Sequence, residues 1–466
     1  MKPAAVFLLA VALFVPISPL RSADRPNVVF ILADDLGYGD LGCYGQKTLS
    51  TPNLDRMAAE GLKFTRHYSG STVCAPSRCV LMTGLHTGHC TVRGNGDVLL
   101  KPEDLTVAEV MKEAGYATGC FGKWGVGHPP AHDDPNRQGF DEFFGYVNMH
   151  HAHNFFPEFL IRNGKVEPLR NQLRALWKTE DRREGAPKEG SGIAEKKIDY
   201  APDLIANEAL GFIEKHREEP FFVYFALNIP HANNEGGKDP NGLGGMEVPE
   251  WGEFAGKDWP ATEKGFATMM KRIDGYVGRV LETLKSLGLA EKTLVIFSSD
   301  NGAHQEGGPQ VDFFDSNGPL RGKKRDLYEG GVRAPTLAWW PGTIAGGRET
   351  DHLSGFQDFL PTVAELAGVP LKSETDGFSL VPTLTGQGTQ AKHEFLYWEF
   401  QEQGGKRGLV TDRWKLVRLN TDKDPEGPVE LYDLAADLGE EHDVSSRHPE
   451  VVTELLGKLN QSHRKP

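Results

Sequence analysis

Apolar residues in this chain come in short unbroken runs that end in polar groups, with helical patterns between the runs. The run over residues 28–33, "VVFILA", holds no polar position and closes on Asp34 and Asp35. A strand with one wet face would alternate, so an unbroken run of this length marks a strand buried on both faces, as in a parallel sheet. Thr51, Pro52 and Gly61 then bracket "TPNLDRMAAEG" as a helix: capping residue, proline in the first helical position, glycine terminator. "LTVAEVMKEAG" predicts a second helix, ended by Gly115 and leading into the strand "YATGCF". A helical stretch over 201–215 precedes the strand "PFFVYFAL". A long amphipathic segment over 262–287 precedes "TLVIFSS". "APTLAWW" is a further strand and "FQDFLPTVAELAG" a further helix.

Strands alternating with helices predict an α/β fold, a large and mostly parallel sheet flanked on both faces by helices. From about His393 the pattern changes to "EFLYWEF", "RGLVTDRWKLVRL" and "VELYDL", with a last helix over 449–459. This reads as a smaller antiparallel unit, giving a main domain over 24–385 and a C-terminal subdomain over 386–466. The charged stretch 170–197 and the glycine-rich stretch 233–256 read as surface loops, the second placed to rim a pocket.

The first 23 residues, "MKPAAVFLLAVALFVPISPLRSA", set one lysine before an apolar stretch and end on small residues. The stretch is too short to span a bilayer and has the flanks of a secretory signal peptide. Export to the periplasm or the medium is the expectation, with no stable membrane insertion. The balance of 65 acidic against 51 basic residues, a net charge of −14, argues against nucleic acid and anionic membranes as partners. It leaves room for a small anionic substrate, because a local basic pocket can sit in an acidic exterior. Export would place Cys43, Cys74, Cys79, Cys90 and Cys120 in an oxidising compartment, where five thiols leave at least one unpaired.

In an open parallel sheet, ligands bind beyond the carboxyl ends of the strands. That rule gathers Asp34 and Asp35, Lys123 after "TGCFG", His231 after "FALNIP", and Asp300 and Asn301 after "LVIFSS" onto one patch. Three carboxylates and an amide oxygen are hard ligands suited to Ca²⁺ or Mg²⁺, and their repulsion calls for a cation. A strand-end acid can also cap a loop or begin an Asx-turn; acids after two apolar strands favour the ion. In "STVCAPSR", residues 71–78, a helix starting near Cys74 with Pro76 in its first turn places Arg78 one turn later on the same face. Helix N-termini attract anions, so the cysteine points at an anion site. "HHAHNFFP", residues 150–157, gathers His150, His151 and His153. These are substrate contacts or ordinary loop residues, without an acid or cysteine at zinc-binding spacing. His304, in "SDNGAHQ", either lines the pocket or caps a loop.

Taken together, "ADD", "CAPSR", "GKWG", "IPH", "SDNG" and "GKKRDLYEGGVRAP" occur here in the order found in type I sulfatases of the alkaline-phosphatase superfamily. The chain resembles that family over nearly its whole length after the leader, including "LYDL". The resemblance implies an arylsulfatase-like, formylglycine-dependent hydrolase, in which a separate maturation enzyme oxidises Cys74 to an aldehyde, 3-oxoalanine. The two hydroxyls of the hydrated aldehyde let one attack sulfur and the other expel sulfate by C–O cleavage, avoiding a second attack at sulfur. By the same resemblance Asp34, Asp35, Asp300, Asn301 and modified Cys74 would bind the metal, Ca²⁺ with Mg²⁺ the alternative. Arg78 would hold the hydrated aldehyde, Lys123 and Lys324 would neutralise the sulfate oxygens, and His231 would protonate the departing alcohol. Lys324 is chosen over Lys323 by its spacing to "YEGG". His153 and His304 are the candidate substrate contacts.

One position departs from the family. Many relatives carry a histidine two residues after the lysine of G-K-W, where this chain has Gly125. Either the aldehyde's hydroxyls lose a partner or another group, His128 or His304, replaces it. The implied substrate is a sulfated carbohydrate or other small sulfate ester. A phosphonate or phosphate diester hydrolase of the same superfamily is the alternative reaction, and a catalytically silent binder of sulfated glycans a third reading.

Overall fold

In the strand Asn27–Ala33 every residue is buried. Val29, Ile31 and Ala33 enter one core and Val28, Phe30 and Leu32 the other, which is why the run has no polar position. The computed structural model in which this is seen describes residues 25–96, 98–127, 131, 133–174, 190–236 and 244–464. The predicted leader, residues 1–23, lies outside them.

Asn27–Ala33 pairs in parallel with Phe221–Ala226 on one side and Thr293–Ser299 on the other. Ala117–Lys123 and Glu142–Tyr146 extend the parallel set. At one edge Thr336–Trp339 runs antiparallel to Thr293–Ser299, followed outward by Leu62–Phe64 and Arg348–Thr350. At the other edge lies the antiparallel hairpin of Phe159–Arg162 and Lys165–Pro168. The ten-stranded sheet is thus parallel through its centre, as expected, and mixed toward its edges.

Pro52–Glu60, Ala201–Lys215 and Ala261–Ser286 cover one face. Cys74–Thr83, Val107–Glu113 and Phe359–Ala367 cover the other. The boundaries follow the local chemistry: Thr106 Oγ1 accepts from the Glu109 N–H at 3.3 Å while Glu109 Oε2 accepts from the Thr106 N–H at 2.8 Å. This reciprocal cap fixes the start of Val107–Glu113.

The C-terminal strands Leu396–Phe400, Lys406–Val410, Trp414–Leu419 and Val429–Asp433 form an antiparallel meander. Helix Pro449–Gln461 buries Leu455 and Leu459 against Tyr397, Leu409, Leu416 and Leu431. The meander docks on the main sheet's domain around Glu329, which is fully buried. Glu329 accepts from Lys415 Nζ at 3.0 Å, Arg333 Nη1 at 3.1 Å and the Tyr68 hydroxyl at 2.7 Å. Its own N–H donates to Glu440 Oε2 at 2.7 Å.

The stretch 170–197 is not all loop, since Gln172–Leu173 pairs with Ala194–Lys196. All five cysteines are free thiols. Among the described residues no helix is long and apolar enough to cross a membrane.

Candidate active site

The sequence "CAPSRCVLMT" forms helix Cys74–Thr83, buried at every position. Val73 is extended and turns the chain inward, so Cys74 takes the first helical position. The Ala75 N–H donates to Asn95 Oδ1 at 3.0 Å. The Cys74 thiol donates to Asp34 Oδ1 at 3.4 Å, and its sulfur lies 4.0 Å from Asp35 Oδ1. Burial pushes this thiol well above the ordinary cysteine range, so the unmodified sulfur stays protonated.

The carboxyl ends of the central strands deliver the rest. Asp35 follows Asp34 with φ 68°, a left-handed conformation that costs a side-chain-bearing residue energy and is held here from outside. Its N–H donates to Asp300 Oδ1 at 3.0 Å. Asp300 Oδ2 accepts from Arg78 Nε at 3.1 Å and Nη2 at 2.8 Å. Lys123 Nζ donates to Asp34 at 3.1 and 2.8 Å. Lys324 Nζ donates to Asp35 Oδ2 at 2.8 Å and meets His231 Nε2 at 3.1 Å. Lys323, its neighbour in sequence, instead bonds Gln305 outside the cluster.

Three buried cations therefore face three buried carboxylates. This corrects the expectation that the acids' repulsion would be uncompensated without a metal. The balance is uneven, however. Burial raises Asp34 and Asp35, but Lys123, His231, Arg78 and Lys324 hold Asp34 well below the usual carboxylate range, and Lys324 and the neighbouring histidines lower Asp35. Asp300 is pushed up to about 7 by burial and the Asp34 charge despite its bond to Arg78. Positive charge is short at that end of the cluster.

His231 is buried, with Nδ1 at 2.6 Å from the Ala232 carbonyl oxygen. That contact puts the proton on Nδ1 when the ring is neutral and leaves Nε2 facing Lys324, Asp35 and Glu306. Burial and the Lys324 charge push it down to about 3. The rings of His153 and His304 stack on it at 4.8 and 5.8 Å, tilted by only 13° and 16°.

A family model for sulfatases matches residues 26–369. The chain belongs to the sulfatase family. A second family model, described as N-sulphoglucosamine sulphohydrolase, C-terminal, matches residues 322–465 of this sulfatase. Human arylsulfatase A is 34% identical to it over 95% of this chain and 88% of its own length. The N-acetylgalactosamine-6-O-sulfatase of Bacteroides thetaiotaomicron is 30% identical over 93% of this chain and 92% of its own. The solved structure of Ps i-CgsB in complex with k-i-k-neocarrahexaose matches with a TM-score of 0.77 at 27% identity, covering 95% of this chain and 94% of that one. The protein is thus a sulfuric ester hydrolase with the mixed-sheet fold of the alkaline-phosphatase superfamily.

The sulfatase's donor set fits a hard divalent ion. Asp34, Asp35, Cys74 and His231 each bring one ligand atom within 4.8 Å of the others, and Asn301 Oδ1 is buried without a hydrogen bond. An orphaned amide oxygen beside carboxylates is what a Ca²⁺ or Mg²⁺ site offers. Gly125 sits at φ 79°, and a Cβ there would lie 3.1 Å from Arg78 Cδ and 3.7 Å from Lys123 Cε. The absence of a side chain thus lets Arg78 and Lys123 pack over the backbone. Of the two candidate replacements for the family histidine, His128 lies outside the described residues and His304 Nε2 is 3.0 Å from the Pro230 carbonyl oxygen.

A cavity of about 310 Å³ lies over Cys74, His231 and Lys324, with His153 in its wall. The sequence reading missed Glu235, Glu306, Arg325 and Glu402, which line it too. Glu306 Oε2 accepts from Lys324 Nζ at 2.8 Å. Its adjacency to "SDNGAH" was the one available signal; Glu235 and Glu402 lie in loops with no periodicity to mark them.

Proposed function

We propose that this sulfatase is exported and hydrolyses a sulfate ester of a sulfated carbohydrate, through a formylglycine made from Cys74 by a maturation enzyme and a bound divalent cation. Residues 24–385 form the catalytic domain of this reading and 386–466 its C-terminal subdomain. The observation that carries it is the position of Cys74: first residue of a buried helix, 3.4 Å from Asp34, in one cavity with Lys324 and His231. The names of the bacterial relative and of the carbohydrate complex support a sugar sulfate as substrate.

Asp34, Asp35, Asp300, Asn301 and the modified residue 74 would hold the ion, Ca²⁺ with Mg²⁺ the alternative. When bound it supplies Lewis acidity and countercharge, and formylglycine supplies two hydroxyls on one carbon. The chain's own residues do the rest. Arg78, tied to Asp300 and to the Lys123 carbonyl, fixes the first turn of the helix and the group at position 74. Lys123 and Lys324 are buried ammonium groups, where a charge-assisted bond to a sulfate oxygen is strong. Nδ1 of His231, held by the Ala232 carbonyl, aims Nε2 into the cavity. The sulfate ester's negative charge offsets the burial that keeps this ring neutral; as Lys324 turns to the sulfate, Nε2 takes up a proton from solvent and passes it to the leaving oxygen. His153 and His304 keep the ring in that plane.

The test uses protein co-expressed with a maturation enzyme, with mass spectrometry of the peptide bearing Cys74 to establish conversion. Nitrophenyl sulfate, a phenyl phosphonate ester and a panel of sulfated saccharides are compared. Sulfate hydrolysis should dominate, and Cys74→Ser should lose multiple turnover. Preference for the phosphonate, or full turnover by Cys74→Ser, overturns the proposal.

A further inference from the structure

The carboxylates of the metal and sulfate cluster do not exhaust the acids of the cavity. Its wall carries Glu235, Glu306 and Glu402 against one guanidinium, Arg325. Both non-histidine cations are already engaged: Lys324 by Asp35 and Glu306 at 2.8 Å each, Arg325 by Glu306 and, at 3.4 Å from Nε, by Glu402. Among the described residues lining the cavity no lysine or arginine remains without a carboxylate partner. Glu235 Oε2 and His153 Nδ1 are 3.7 Å apart, too far for a hydrogen bond. Both atoms are buried without a hydrogen-bond partner, and His153 is only 9% exposed. Buried polar atoms in native proteins are satisfied. Both residues line the cavity, and these two buried, unpaired atoms lie side by side within its wall, an arrangement that a ring hydroxyl inserted between them completes by donating to the carboxylate and bonding the imidazole.

We infer that this wall selects a neutral sugar ring carrying a single sulfate, N-acetylated amino sugars included. The Glu235–His153 pair binds one of its hydroxyl or N–H groups, and the three carboxylates exclude a uronate or a second sulfate from that ring. The inference rests on the sulfatase reading above and narrows it. Two effects cooperate. A hydroxyl or N–H finds a ready acceptor in Glu235, while a second anion meets like charge in a cavity whose lysine and arginine are already paired with carboxylates. Discrimination of this kind comes from the repulsive element as much as from the attractive one. The cavity volume, near the lower end of about 300–1000 Å³ for small-molecule sites, suits a terminal unit better than a long run of chain.

The experiment uses the matured full-length protein and measures kcat/KM for galactose and N-acetylgalactosamine monosulfates of each regiochemistry. Their disulfated counterparts, a uronate monosulfate and nitrophenyl sulfate complete the panel. The neutral monosulfate should exceed its disulfated counterpart at least about tenfold, the discrimination that like-charge contact supplies. In Glu235→Gln and, separately, Glu402→Gln, that selectivity ratio should fall severalfold. The ratio is taken within one protein sample, so a partly folded or partly matured variant still reports it. A wild-type preference for the disulfated or uronate substrate overturns the inference, as does a ratio unmoved in both variants. In either case turnover of nitrophenyl sulfate leaves the sulfatase reading standing. Loss of all hydrolysis by fully converted wild-type protein, nitrophenyl sulfate included, overturns both.

Discussion

Replacing His231 by alanine separates two contributions that the proposed mechanism assigns to one side chain. The first is the contact of its Nε2 with Lys324 Nζ, 3.1 Å away. A hydrogen bond to a charged group is worth about 1.5–3 kcal/mol net, or about 13- to 160-fold in kcat/KM. Every substrate loses that factor alike, because Lys324 meets the sulfate whatever the leaving group. The second is the proton delivered to the departing oxygen, worth about 10² to 10⁴, or about 2.7–5.4 kcal/mol at 1.36 kcal/mol per tenfold. A nitrophenolate leaves without that proton and a sugar alkoxide does not. His231→Ala should therefore lower kcat/KM for nitrophenyl sulfate by about 13- to 160-fold, and for a sugar sulfate by about 10³ to 10⁶. The assay is a series of substituted phenyl sulfates plus one sugar sulfate, with conversion of residue 74 quantified in each sample. The plot of log kcat/KM against leaving-group pKa should steepen in the variant. Equal losses across the series would show that His231 donates no proton and only supports Lys324.

Glu329 and Lys415 are both fully buried, 3.0 Å apart. Glu329→Gln strands the ammonium and should cost about 3–5 kcal/mol in urea unfolding, most of it recovered when Lys415→Met is added; additive losses would refute the pairing. Glu440 is pushed up to about 8, from an ordinary 4.5, by burial next to Glu329. A folded-state value above the unfolded one means that this stabilisation is complete below pH 4.5 and lost as the pH rises through about 8. Glu440→Gln should remove that slope from the pH dependence of the urea midpoint, and an unchanged slope would show that the group does not titrate there. A chelator should lower the thermal midpoint and Ca²⁺ restore it, since a ligand at 100 times its Kd adds about 2.7 kcal/mol. Asp34→Asn should be insensitive to both, and a chelator response that survives this change would place the ion elsewhere.

The central strands were legible because burial on both faces leaves no polar position to interrupt them, as in Asn27–Ala33. The strands outward of the centre lack that signature. Lys165–Pro168 is largely exposed, with the sequence "KVEP", Leu62–Phe64 has three residues, and Glu142–Tyr146 carries Gly145 at φ 153°. Asp34, Asp35, Lys123, Asp300 and Asn301 could be grouped from sequence because strand ends have a fixed relation in a parallel sheet. His153 and Glu235 could not, for their pairing arises where two irregular segments meet, and neither segment has a period that fixes where its side chains go. The stacking of His153 and His304 on His231 is likewise a fact of space: residues 153, 231 and 304 have no sequence relation that would reveal it.

Cys74 exposes 2% of its surface, and the opening over it among the described residues is a cavity of about 310 Å³, far too small to admit another protein. Another macromolecule can reach that side chain only while the polypeptide is still unfurled. On the formylglycine reading proposed above, any catalyst that converts it races the collapse of the core, and the share of competent molecules is decided once, at birth. A culture that synthesises the chain faster than it is processed should accumulate well-folded, soluble protein that no later treatment of the purified material can awaken.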